Sequence, residues 1–215
     1  MSQIDWKEMR DYQKMTSAVA QVLANHYLVE MEASGRHIHL SQEDLTRLFG
    51  KGYVLTKAKE LSQPGQYACQ ERVTITGPKG SIKNVVILGP PRGDTQIEIS
   101  LTDARILGIE APIRDSGDVA NSPGLQLTSS FASIQVPNGL IVARRHLHIT
   151  PGDAEKFHLQ DKEIIRLKTF TKRPLIFDDV LVRVSKTAKT IVHLDYDEAN
   201  ACGFFPGAKA IIIKK

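Results

Sequence analysis

Gly35-Arg36-His37-Ile38-His39-Leu40-Ser41 and Arg144-Arg145-His146-Leu147-His148-Ile149-Thr150 are two copies of one pattern, and together they hold four of the chain's seven histidines. In an extended strand, residues i and i+2 project from the same face, so each copy presents two imidazoles together and turns Ile38 or Leu147 the other way. A single His-x-His pair reads as two solvated or core histidines. Its recurrence, in the same surroundings, is metal-ligand geometry.

Those surroundings match on both sides. An alternating or apolar run precedes each pair, 27–32 in the first copy and 139–143 in the second. Helix-start chemistry follows each, with Ser41 before Asp44 and Thr150 before Pro151 and Asp153. The pattern predicts an internally duplicated chain.

Further along the first copy, a short helix over 41–49 closes at Gly50, and strands over 66–76 and 82–88 flank the turn 77–80. Gly89-Pro90-Pro91-Arg92-Gly93-Asp94 reads as a rigid loop, 95–99 as a strand, and the Pro-, Gly- and Ser-containing stretch 111–130 as a linker. In the second copy a helix starts at Pro151, and strands are expected at 163–169, 175–185 and 190–194.

The repeat then does something a single copy could not. Ile97-Glu98-Ile99-Ser100-Leu101-Thr102-Asp103-Ala104 aligns with Val192-His193-Leu194-Asp195-Tyr196-Asp197-Glu198-Ala199, and the frame holds to Gly108 against Gly203. Glu98 and His193 are therefore equivalent. A carboxylate and an imidazole share little as packing groups, yet both ligate zinc and similar metals. Two three-ligand sites follow: His37, His39 and Glu98 in one half, His146, His148 and His193 in the other. Exchange of ligands between halves stays open at this stage. Three protein ligands leave an open coordination position, the mark of a catalytic rather than a structural zinc. His26 and His158 fall outside the pattern.

Composition sets outer limits. The chain has 215 residues, 41% apolar and 24% charged, with a net charge of +4. That is ordinary for a globular protein and long enough for two small cores. The charge lacks a basic, aromatic-interleaved stripe, which argues against nucleic acid and suits small anions. No apolar run reaches membrane-spanning length and no secretory signal is evident, so an intracellular location is expected. Cys69 and Cys202 have no metal-type spacing and read as reduced and buried. Residues 1–25 read as an amphipathic helix, either docked on its own domain or serving as a detachable partner-binding tag.

The paired Arg-His-x-His motifs, the Pro-Arg-Gly loop at 91–93 and the Glu98 and His193 strands together resemble the phosphate propanoyltransferase family, the phosphotransacylases of propanediol-type bacterial microcompartments. The resemblance covers about residues 27–215. It implies an enzyme with two zinc ions per chain, cobalt or manganese being alternatives, that interconverts acyl-CoA plus phosphate with acyl phosphate plus CoA. It implies the same six metal ligands, a phosphate-contacting role for Arg92, and a place in the active-site region for Ser116. It also implies a mainly β fold of two similar barrels with short helical caps, one over 36–144 and one over 145–215, the latter joined by 26–35. By the same resemblance the N-terminal helix directs the enzyme to a microcompartment lumen, through shell or cargo proteins, and a homodimer is the expected assembly. A dinuclear zinc hydrolase of a thioester or phosphoester is the alternative, since it would use the same ligands to activate water. A purely structural zinc protein would need a fourth ligand per metal, which the sequence does not offer.

Overall fold

The computed structural model describes residues 14–17 and 28–213. The amphipathic helix read over 1–25, apart from a helical turn at 14–17, and His26 lie outside the described residues. Among the described residues no helix is long and apolar enough to cross a membrane.

The chain is mainly β, in two barrel-like sheets. The histidine pairs fall on strands β2 (His37–Ser41) and β11 (His146–Ile149). Each is the centre of the same five-strand order. In the first sheet, β2 lies between β6 (Gln96–Glu98) and β5 (Ser81–Arg92), flanked outside by β10 (Leu140–Ala143) and β4 (Tyr67–Thr76). In the second, β11 lies between β14 (Ile191–Leu194) and β13 (Ile176–Val184), flanked by β1 (Leu28–Ala33) and β12 (Ile164–Phe170).

The flanking strands are exchanged between the halves. β1 precedes the first histidine pair but runs parallel to β14 in the second sheet, with Glu32 beside His193. β10 precedes the second pair but runs parallel to β6 in the first sheet, with Ile141 beside Glu98. The chain crosses over at Gly35, where an added Cβ would lie 2.5 Å from the Tyr196 ring. A side chain there would require the Tyr196 ring to shift.

Closure distinguishes the two sheets. β15 (Lys209–Ile213) is antiparallel to both β12 and β1 and seals a six-stranded barrel. In the first half, β8 (Leu125–Thr128) bonds β4 on one side and β9 (Ser133–Val136) on the other, so the nine-stranded sheet curls without closing. β3 (Lys57–Glu60) pairs with β4, and β7 (Ile113–Arg114) with β10.

Two expectations change here. The stretch 111–130 is not a linker, because β7 and β8 lie in it and Leu125 and Leu127 are buried in the first core. Its Pro and Gly residues cluster before Leu125, whereas Leu125-Gln126-Leu127-Thr128 has the period-2 alternation of a strand with one buried face. The expected loop at 89–94 is largely strand, since β5 continues to Arg92, which pairs with Ser41. The final strand, β15, is an element the sequence reading does not place.

Four short helices cap the strands: α1 (Gln42–Phe49), α2 (Leu101–Leu107), α3 (Pro151–Phe157) and α4 (Tyr196–Cys202). Ser41, Ser100, Thr150 and Asp195 accept from the N3 amide of their helices, satisfying donors that would otherwise be orphaned. Gly50, Gly108 and Gly203 end three of them, and His158 ends α3 in the left-handed region at φ 53°.

The apolar residues form two separate cores. Ile38, Ile97 and Leu140 belong to one, and Leu147, Val192 and Met31 to the other. Met31 on β1 thus supports the half that holds the second histidine pair. Met31→Ala is expected to lower stability by about 2–5 kcal/mol in urea unfolding. In NMR spectra of that variant, the His146 and His148 ring signals should shift more than those of His37 and His39.

Candidate active site

Register creates both ligand groups. β2 is antiparallel to β6 with His37 opposite Glu98 and His39 opposite Gln96. β11 is antiparallel to β14 with His146 opposite His193. Directly opposed residues share a face, with Cβ atoms about 4.5–5.5 Å apart. The ligand atoms of each triad lie within 4.8 Å of one another, and each triad comes from one half of the repeat. Ile38, Ile97, Leu147 and Val192, on the opposite faces, are fully buried.

Hydrogen bonds fix the rings alike in both halves. His37 Nδ1 lies 2.8 Å from the Gly35 carbonyl, and His146 Nδ1 lies 2.8 Å from the Arg144 carbonyl. Donation from Nδ1–H leaves the Nε2 lone pair facing the partner ligands. His37 Nε2 is then 3.5 Å from Glu98 Oε1, and His146 Nε2 is 3.0 Å from His148 Nε2. Nδ1 of His39 is buried without a hydrogen-bond partner. Converging lone pairs, a buried carboxylate and an orphaned ring nitrogen suit a divalent cation at each triad.

Electrostatics favour the ligating forms of His39, His146, His148 and Glu98. Burial, reinforced by His37 and Arg92, pushes His39 down to about 2. Burial and then His146 take His148 to about 2, and burial and then His193 take His146 to about 4. Burial alone would raise the Glu98 carboxyl, but His37 beside it outweighs that and holds it well below the usual carboxylate range. Burial opposes charge on His37 while Glu98 favours it, and the net displacement is upward. At neutral pH His39, His146 and His148 are neutral imidazoles and Glu98 is a carboxylate paired with His37.

Supporting groups hold the ligands. Ser116 Oγ donates to Glu98 Oε1 at 3.1 Å and accepts from the Gln96 amide at 2.8 Å. Gln96 also donates to Glu98, and its own carbonyl accepts from Gly117 N at 2.7 Å. In the other half, Glu32 Oε2 lies 3.0 Å from His193 Nε2 and accepts a hydrogen bond from Ser62. The bond to His193 leads the effects that lower the Glu32 pKa.

Both triads open into one cleft of about 440 Å³, which Arg92, Ser116 and Arg183 also line. Arg92 Nη2 makes one long contact, 3.4 Å to Gln66 Oε1. Arg183 pairs with His148 in the β11–β13 register and makes no ion pair among the described residues. The cleft therefore gathers all eight residues singled out from sequence. Gln96, Glu32 and Arg183 were missed. Gln96 was findable, two residues before Glu98 on the same strand face. Arg183 was not, because the repeat places Leu88 at its equivalent position.

Two guanidinium groups beside converging ligand groups in one cleft suit an anionic substrate, and the comparisons with known proteins give the family. Residues 30–205 match the family model described as phosphate propanoyltransferase. A phosphate propanoyltransferase of Clostridioides difficile is 60% identical over 187 residues, covering 87% of this chain and 90% of the relative. One of Listeria monocytogenes is 55% identical over 94% of this chain and 96% of its own length, and one of Thermotoga maritima is 47% identical over 91% and 94%. The chain belongs to the phosphate propanoyltransferase family and is an acyltransferase of the phosphotransacylase type.

Ser116 matters first for how Glu98 is held. Ser116→Ala removes a hydrogen bond from a buried, charged acceptor and is expected to cost about 1.5–3 kcal/mol of stability in urea unfolding.

Proposed function

We propose that the chain transfers a short acyl group, propanoyl or acetyl, between CoA and phosphate at a two-metal site formed by His37, His39, Glu98, His146, His148 and His193. The observation that carries the reading is the meeting of both triads and two sparsely paired arginines in one cleft. Zinc suits the donor set best, with cobalt or manganese as alternatives.

The reaction forms a C–O bond from a phosphate oxygen to the thioester carbonyl carbon and breaks the C–S bond, releasing the CoA thiolate. Divalent ions held by the triads would supply Lewis acidity for the carbonyl and positive charge for phosphate. The arginines orient the nucleophile. Arg92 offers a planar fork with its geometry only lightly used by Gln66, and Arg183 offers a second from β13. Together they offset the charge of a dianion while leaving one oxygen directed at the carbonyl. Gln96 and Ser116 hold Glu98 in place.

A covalent acyl-enzyme has no cysteine to form on. Cys69 and Cys202 are both fully buried in the cores, and burial pushes the Cys69 thiol up to about 11. Direct attack by phosphate needs neither. Withdrawal of the reacting groups into the cleft also limits hydrolysis of the acyl phosphate product.

Two measurements test the proposal. His37→Ala with His39→Ala should leave one divalent ion per chain where wild type holds two, by elemental analysis; wild type carrying none after careful preparation removes the metal reading. In steady-state assays with phosphate varied at fixed acyl-CoA, Arg92→Ala should lose roughly a hundredfold in rate. Arg92→Lys should recover little of that, because a point charge lacks the fork, and bound metal should be unchanged in both. Near-wild-type turnover in Arg92→Ala takes this residue out of the mechanism.

A further inference from the structure

The arginine that precedes each histidine pair is tied to an acidic side chain, unlike Arg92 and Arg183, although Arg36 also lines the cleft. Arg36 forms a two-point fork with Asp103, Nε to Oδ2 at 2.9 Å and Nη2 to Oδ1 at 2.7 Å. Arg145 Nε lies 2.9 Å from Glu198 Oε1, and its guanidinium stands 5.6 Å from the centre of the Phe177 ring. Asp103 and Glu198 are equivalent positions in the repeat, each the third residue of a helix, α2 or α4. Each also closes a capping box by accepting from the backbone N–H of its own cap, Ser100 or Asp195.

These helices begin directly after β6 and β14, the strands that carry Glu98 and His193. Each arginine-to-acid contact therefore spans from the residue before the first histidine to the turn just beyond the third ligand. The opposite end of each strand pair is tied as well. Thr95 donates to Asp44 at 2.7 Å and accepts from Ser41 N at 2.9 Å, and Thr190 donates to Asp153 and accepts from Thr150 N at 3.3 Å. The third ligand differs between halves, Glu98 against His193, and the acid differs, Asp103 against Glu198. The arginine-to-acid tie is present in both.

We propose that Arg36 and Arg145 are positioning residues, each fixing the distance between the histidine pair and the third ligand of its own metal site. The inference rests on the two-metal reading above. Asp103 is only 1% exposed, so its carboxylate depends on this partner and the cap for its stability in the core. Asp103 engages both Nε and Nη2 of Arg36. The effect of Arg36 passes through the backbone turn between Glu98 and Ser100, and that of Arg145 through the turn between His193 and Asp195.

The test uses full-length protein loaded with zinc and challenged with a chelator, with released metal followed over time and thermal unfolding followed in parallel. Arg36→Met and Arg145→Met should each release one of two equivalents about tenfold or more faster than wild type, the scale typical of outer groups that orient metal ligands. Arg36→Lys should rescue only partly, and Arg36→Met with Asp103→Asn should release metal no faster than the worse single variant, because both break one contact. Ser100→Ala, which weakens the same cap but leaves the fork, is the control for general destabilisation. If the arginine variants keep both equivalents at the wild-type rate, or lose them only as Ser100→Ala does at matched stability, the positioning role is overturned. A wild type that takes up no zinc is a different result, and overturns the metal reading together with this one.

Discussion

The antiparallel pairing of each histidine strand with the strand beside it is the constraint on which the rest of the molecule depends. Register has a period of two, so a slip of one residue between β2 and β6 would send Glu98 into the core and bring Ile97 to the cleft. The cost of such a slip is large on both faces: a carboxylate would lose its partners and a fully buried isoleucine would face water. Core packing and site assembly therefore reinforce one another. The same holds for Leu147 and Val192 behind His146 and His193.

Within the cleft, burial and charge work in opposite senses on neighbouring groups. Burial keeps His39, His146 and His148 neutral, while the imidazoles around Glu98 keep its carboxylate ionised against the same burial. Lone pairs are thus concentrated where water is scarce, and Arg92 and Arg183 line the same space.

Much of this was legible in the sequence, and the reason is duplication. One His-x-His pair carries little information, but two copies in a common frame turned Glu98 and His193 from an exposed strand residue and a core histidine into partners. The frame failed where the halves differ. In 111–130 the Pro and Gly residues outweigh the short alternation Leu125-Gln126-Leu127-Thr128, the one local sign of a strand there, and Pro90-Pro91 reads as a loop although β5 runs through it. Arg183 stands where the other half has leucine, so its presence in the cleft depends on the β11–β13 register rather than on any local pattern. Ser116 and Arg92 were pointed out by family resemblance. Their placement beside Glu98 and Gln66 is a tertiary fact.

The exchange of β1 and β10 has a bearing on how such a chain can arise. Each histidine motif is preceded by a strand that completes the other motif's sheet, with Glu32 alongside His193 and Ile141 alongside Glu98. A polypeptide carrying a single copy would finish its five-strand order only by lending that strand to a second molecule and borrowing one in return. Fusion of two copies into one chain turns that intermolecular loan into an intramolecular crossing. It also frees the two halves to diverge, one sealing its barrel with β15 and the other leaving its sheet open.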